Sequence, residues 1–119
     1  MKKVLVLLAK GFEIFEASAF LDVIGWNLVE GDNSTEAFTC GLRKEIISSF
    51  KQKIIVDYLI DDIKVDDFDA LAIPGGFEIS GFYEDAYDNK FLDLIRAFKE
   101  SNKTIATICV GALPLGKSG

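Results

Sequence analysis

The sequence predicts an α/β fold: a doubly wound, mostly parallel sheet with helices on both faces. Three observations point to it. Val4–Ala9 and Phe68–Ile73 are almost unbroken apolar runs, as expected of strands covered on both sides rather than on one. Phe12 to about Val29 and Asp88 to Lys99 carry helical periodicity instead. The order strand, helix, strand, strand, helix, strand is the one that right-handed crossovers wind into a parallel sheet.

Taken in order, Val4–Ala9 is the first strand and Gly11 ends it. The helix that follows has Glu13 and Glu16 in its first turn, where the helix dipole favours acids. Ser18, Asp22 and Gly25 share one polar stripe, whereas Glu16 falls on the face of Phe12, Phe20 and Val23. Solvation alone would not put an acid there. Residues 31–35 form a loop, and Ala37–Leu42 is a second strand containing Cys40. Ile46–Phe50 and Ile54–Leu59 read as shorter strands around a turn at Lys51-Gln52. Asp57, Asp61, Asp62, Asp66 and Asp67 lack the glycine and terminal glutamate of a calcium loop, so they read as a solvated connection. Phe68–Ile73 ends at Pro74-Gly75-Gly76. The second helix places Phe91, Leu94, Ile95 and Phe98 on one stripe, with Asp88 as its cap.

Composition narrows the function classes. With 119 residues, half of them hydrophobic, the chain is read as one compact domain, 1–119. A net charge of −6 argues against nucleic acid or an anionic membrane as the main partner. Two cysteines, Cys40 and Cys109, make no disulfide framework and suggest a reducing compartment. Lys2-Lys3 before an apolar run resembles a leader, but Lys10 breaks the run and no cleavage site follows, so the cytoplasm is expected.

The chemistry is expected where Thr104–Ile108, a short buried strand, turns at Cys109 into a helix start. A side chain on such a corner stands above the carboxyl edge of the sheet, as in a nucleophile elbow, and helix-start amides favour a thiolate. Gly111 permits close packing after the bend, and Pro114 falls in the first helical turn, where a missing N–H costs little. Ligands of such sheets sit at the carboxyl ends of the strands. Three features fall there: Glu16 after the first strand, Gly75-Gly76 after the third and Cys109 after the fourth. A carboxyl can exchange a proton with a thiol, and bare glycine amides can stabilise developing negative charge. Cys40, inside a strand, is expected to be unreactive.

Leu8-Ala-Lys-Gly11 with Glu16 beyond it, Ala72-Ile-Pro-Gly-Gly76 and Ala106-Thr-Ile-Cys-Val-Gly111 resemble the ThiJ/PfpI superfamily, in the branch of the Parkinsonism-associated protein deglycase. The resemblance runs from residue 2 to the end of the chain. It implies a flavodoxin-like sheet, a homodimer, no cofactor or metal, and a reactive Cys109 whose thiolate accepts a hydrogen bond from a protonated Glu16. Gly75, Gly76 and Val110 would line an oxyanion site through their backbone. Two departures stand out. Peptidase-like members carry a histidine directly after the cysteine, where this chain has Val110, and this chain has no histidine at all. The family also continues through more strands and helices, so the chain is expected to be an N-terminal portion that pairs with a remaining C-terminal segment.

The leading expectation is a cysteine-dependent protein acting on small carbonyl compounds such as glyoxals, or on glycated groups. Thiolate attack on an aldehyde gives a hemithioacetal, and Glu16 moves the proton that completes the rearrangement. The alternatives are a peptidase- or amidase-like hydrolase and a non-enzymatic sensor in which Cys109 is oxidised. A glutaminase subunit would prefer glycine at Thr107 and need a histidine. A phosphoacceptor or flavin domain would need clustered acids or a hydroxyl-rich loop after the first strand, and Lys10-Gly-Phe12 supplies neither.

Overall fold

The computed structural model describes residues 1–119. Its centre is β1 (Lys2–Leu7), flanked in parallel by β2 (Thr35–Gly41) and β6 (Ala70–Ile73). β7 (Thr104–Thr107) pairs in parallel with β6, and β5 (Tyr58–Leu59) with β2, giving the order β5-β2-β1-β6-β7. β3 (Glu45–Ile47) and β4 (Lys53–Ile55) form a separate antiparallel hairpin. The helices are α1 (Ile14–Glu30), α2 (Phe82–Ala86), α3 (Asn89–Glu100) and α4 (Ala112–Lys117).

The alternation along β1 builds two cores. Leu5, Leu7 and Ala9 face one side, where Phe82, Phe91, Ile95 and Phe98 from α2 and α3 are completely buried. Val6 and Leu8 face the other, against Phe12 and Ala17 at the start of α1 and Ile46 of the hairpin. A strand covered on both faces has no place for a polar side chain, which explains its unbroken apolar run. α3 starts as expected, with Asp88 Oδ1 accepting from Lys90 N at 2.9 Å. No helix is long and apolar enough to cross a membrane.

Several expected boundaries shift. The strand expected over Ile54–Leu59 is two pieces, and the second crosses to the main sheet. Val56 is buried between them, and Asp57 Oδ2 accepts from both Thr39 N and Thr39 Oγ1 across the junction. Ile46–Phe50 shortens to β3 because the hairpin already turns at Ser48. β6 begins at Ala70, since Phe68 closes a short 3₁₀ turn, and its ring is buried in the larger core. The face of α1 shared by Glu16, Phe20 and Val23 is divided along its length. Glu16 is half-buried beside the sheet edge, whereas Val23 is exposed.

One ion pair fixes the corner after β1. Asp85, only 3 % exposed, accepts from Arg43 Nη1 at 3.0 Å, from Arg43 Nη2 at 2.7 Å and from Lys10 N at 2.7 Å. That hydrogen bonding to the carboxylate holds the Arg43 guanidinium above its already high usual pKa. Removing one member of a buried pair costs about 3–5 kcal/mol, and here the half-exposed arginine and the remaining Lys10 N–H lessen it. Arg43→Ala is therefore expected to lower unfolding stability by roughly 2–3 kcal/mol in urea titrations. Lys90→Ala removes an ion pair exposed on both sides and should leave the urea midpoint essentially where it is.

Candidate active site

The three strand ends predicted to carry chemistry converge. After β7 the chain enters a 3₁₀ turn, Cys109–Gly111, and then α4. Cys109 takes φ +54°, a left-handed backbone that is unfavourable for a residue with a Cβ, and its side chain is exposed. That is the strained geometry of a nucleophile elbow. Gly111 is required at the bend, since a Cβ there would collide with the carbonyl oxygen of Ile73 at the end of β6.

Glu16 reaches across from the first turn of α1. Its Oε1 accepts a hydrogen bond from Gly75 N at 2.8 Å, and Glu13 N donates to Gly75 O at 2.8 Å, so the start of α1 is clamped to the loop after β6. A Cβ on Gly75 would stand 2.8 Å from Glu16 Oε1, 3.0 Å from Ile108 O and 3.0 Å from Val110 Cγ2. Glu16, Gly75 and the two neighbours of Cys109 in sequence therefore share one small space. The direct Glu16–Cys109 hydrogen bond implied by the family resemblance is not formed: the carboxylate is engaged by the Gly75 amide. Gly76 faces away from this space. It pairs with Phe12 in an antiparallel bridge, and a Cβ there would collide with Gly11 O.

Two groups near the thiol were not singled out from the sequence. Partial burial raises the pKa of the Tyr83 phenol, and the charges of Tyr87, Glu78 and Cys109 act in the same direction. Tyr83 and Tyr87 sit one helical turn apart with ring centroids 5.0 Å apart, and Lys117 at the end of α4 lies 5.5 Å from the Tyr87 ring. The i, i+4 aromatic spacing was the available signal. No three histidine, cysteine, aspartate or glutamate side chains come together in a way that would hold a metal ion.

The DJ-1/PfpI family model matches residues 2–119, nearly the whole chain. The chain belongs to the DJ-1/PfpI family. Among relatives, it is 32 % identical over 110 residues to a Bacillus subtilis (strain 168) protein named "Putative cysteine protease YraA", covering 92 % of this chain and 61 % of that protein. It is 30 % identical over 107 residues to protein DJ-1 homolog B of Arabidopsis thaliana, covering 90 % of this chain and 23 % of that one. The crystal structure of Drosophila melanogaster DJ-1beta superposes with a TM-score of 0.81 at 27 % identity, over 99 % of this chain and 60 % of the other. This DJ-1/PfpI chain thus spans less than two thirds of the length of these relatives. Its mostly parallel α/β sheet is the fold of that structure.

The two thiols of this family member differ in access. Cys40 is fully buried, and burial pushes its thiol pKa well up. At neutral pH, iodoacetamide is expected to label Cys109 in the native protein while Cys40 reacts at about a hundredth of that rate or less, until denaturant exposes it. Peptide mass spectrometry reads both sites; comparable native labelling of the two would contradict this assignment.

Proposed function

We propose that this protein uses Cys109 as a nucleophile toward small reactive carbonyl compounds of the glyoxal type, or toward the glycated groups they form. The observation that carries the reading is the exposed Cys109 at φ +54°, next in sequence to two residues that crowd the Glu16–Gly75 pair. In the proposed reaction the Cys109 sulfur adds to the aldehyde carbon, and the carbonyl oxygen becomes a hydroxyl, giving a hemithioacetal. The hydrogen on that carbon leaves as a proton and is returned to the neighbouring carbon, which converts the adduct to a thioester of a 2-hydroxy acid. Water then releases the acid and regenerates the thiol. Glu16 is the proton carrier. Gly75 N–H holds its Oε1, and its Oε2 makes no hydrogen bond within the protein. The amides of Gly75, Gly76 and Val110 are assigned to the developing oxyanion; Gly76 N–H makes no hydrogen bond within the protein, whereas Gly75 N–H is already donated to Glu16 Oε1 and contributes less.

The peptidase or amidase alternative has in its favour the name of the Bacillus subtilis relative. Against it stands Val110, which occupies the position directly after the cysteine where peptidase-like members carry a histidine. The sensor alternative, oxidation of Cys109 to a sulfinate, uses the same exposed thiol without turnover.

Incubation with methylglyoxal, with lactate as readout, tests the proposal. Turnover should disappear in Cys109→Ser, and Glu16→Gln should lower it by about 10²- to 10⁴-fold while leaving iodoacetamide labelling of Cys109 largely intact. A wild-type protein that consumes no methylglyoxal but forms the Cys109 sulfinate with peroxide would favour the sensor instead.

The same reading includes a two-fold dimer through α1. Phe15 is 84 % exposed and Trp26 65 % exposed on that helix, with Val23 and Val29 beside them in solvent, an apolar surface broader than one sheet face can cover. Leu21 of the same helix is partly covered by the smaller core and does not add to that surface. Sedimentation analysis is expected to give a dimer that Trp26→Glu converts to monomer; a wild-type monomer at about 0.1 mM would refute the dimer while leaving the chemistry intact.

A further inference from the structure

The corner after β1, the β3–β4 hairpin and the loop after β6 enclose a cleft of about 470 Å³ that neither Cys109 nor Glu16 lines. We propose that this cleft binds a small phosphate monoester, with Lys10, Lys51 and Lys53 holding the phosphate.

Charge is the first argument. Three lysines and no carboxylate line the cleft, in a chain whose net charge is −6. The ammonium groups of Lys51 and Lys53, both on the hairpin wall of the cleft, make no ion pair and no hydrogen bond, so their charges are uncompensated. Lys10 Nζ stands 3.8 Å from Glu84 Oε1, a loose and exposed contact that an incoming anion can replace at little cost. Glu13 lies outside the lining, where its Oε1 accepts from Ser49 Oγ at 3.4 Å.

Rigidity is the second. The buried Ser48 hydroxyl donates to Gln52 Oε1 at 2.6 Å and accepts from Gln52 N at 3.0 Å, which closes the hairpin turn on itself. Within that turn Lys51 is held at φ +74°, a backbone better suited to glycine or asparagine. Gly11 N donates to Ile47 O at 2.7 Å and Ser49 N to Phe12 O at 2.8 Å, fastening the hairpin to the corner that carries Lys10. Ser80 Oγ donates to Ser49 O at 3.2 Å, fastening the third wall. The lysine stems therefore start from fixed points before any ligand arrives.

The chemistry follows from the groups available. The hydroxyl protons of Ser49 and Ser80 are already used, so recognition falls to ammonium charge, and three cations match a phosphate dianion better than a single carboxylate. The volume exceeds that of a bare anion and leaves room for a small organic body beside Ile79, which is 96 % exposed at the rim. None of these groups takes part in the Cys109 chemistry, so the two readings stand or fall separately.

Titration of the ¹⁵N-labelled 119-residue chain with glycerol 3-phosphate tests the site. Amide signals of Ser49, Lys51, Ile79 and Ser80 are expected to shift and saturate at millimolar ligand, while glycerol leaves them unmoved. Lys51→Ala with Lys53→Ala should weaken binding at least about tenfold, and the paired arginine variant should retain it within roughly threefold, since charge is what is recognised. Both side chains are exposed, and a native amide spectrum verifies the fold; if the double variant loses it, Lys53→Ala alone, expected to weaken binding about threefold, decides. Shifts reproduced by sodium chloride at equal ionic strength, no saturation below about 20 mM, or undiminished affinity in the alanine variant would each overturn the assignment.

Discussion

At the carboxyl edge of the sheet, backbone runs directly against backbone, and the rest of the site depends on that contact. The Cα of Gly76 packs on the carbonyl of Gly11, and the Cα of Gly111 packs on the carbonyl of Ile73. Any side chain at either point would force the ends of β1, β6 and β7 apart by the width of a methyl group. Because they are not apart, Glu16 from α1 reaches the amide of Gly75, and Gly75 lies against the residues on either side of Cys109. A carboxylate 93 residues before the thiol in sequence is brought beside the residues flanking that thiol through two close glycine contacts.

The second constraint is electrostatic and lies one layer behind. Asp85 is a buried anion satisfied from three directions, and one of its donors is the backbone N–H of Lys10. An unpaired carboxylate at that depth would be costly, so the corner after β1 is held wherever the carboxylate is held. The corner in turn places Gly11 under Gly76 and turns the chain into α1. Sheet centre, ion pair and the carboxyl edge that carries Cys109 are thus coupled through a stretch of only a few residues, Lys10 to Glu13.

The parts of this arrangement legible in the sequence are those with a strong period or a single dominant cause. β1 and α3 were clear because Val4–Ala9 has no polar break and Phe91, Leu94, Ile95 and Phe98 fall on one stripe. Cys109 and Gly75 were legible as strand-end residues, and the closeness of Gly111 to β6 followed from the bend alone. α2 was not legible, because five residues with two acids in the first turn carry no readable period. The buried Asp85 and the phenol Tyr83 that it carries went unrecognised with it. The short β5 was read as the continuation of β4 because Ile54–Leu59 is apolar except at Asp57; that one residue divides it, since its bonds to Thr39 belong to a strand distant in sequence. Helical geometry placed Glu16 and Val23 on one face correctly, but a stripe has no information about where along its length the sheet ends.

Backbone strain sets two corners of the chain apart from the ordinary ones. Four residues other than glycine have positive φ: Asn33, Lys51, Asn102 and Cys109. Asparagine tolerates that region because its short amide can bond to nearby backbone, and Asn33 and Asn102 sit in plain connections, one after α1 and one before β7. Lys51 and Cys109 have no such compensation, and each costs about 1–2 kcal/mol that glycine would avoid. Stability alone therefore favours replacing both. What glycine cannot supply is a thiol lifted above the sheet edge or an ammonium at the tip of a rigid hairpin. The two uncompensated positions are the two on which the proposed readings rest, Cys109 for the thiol chemistry and Lys51 for the anion cleft, and glycine at either would remove the group that the reading needs.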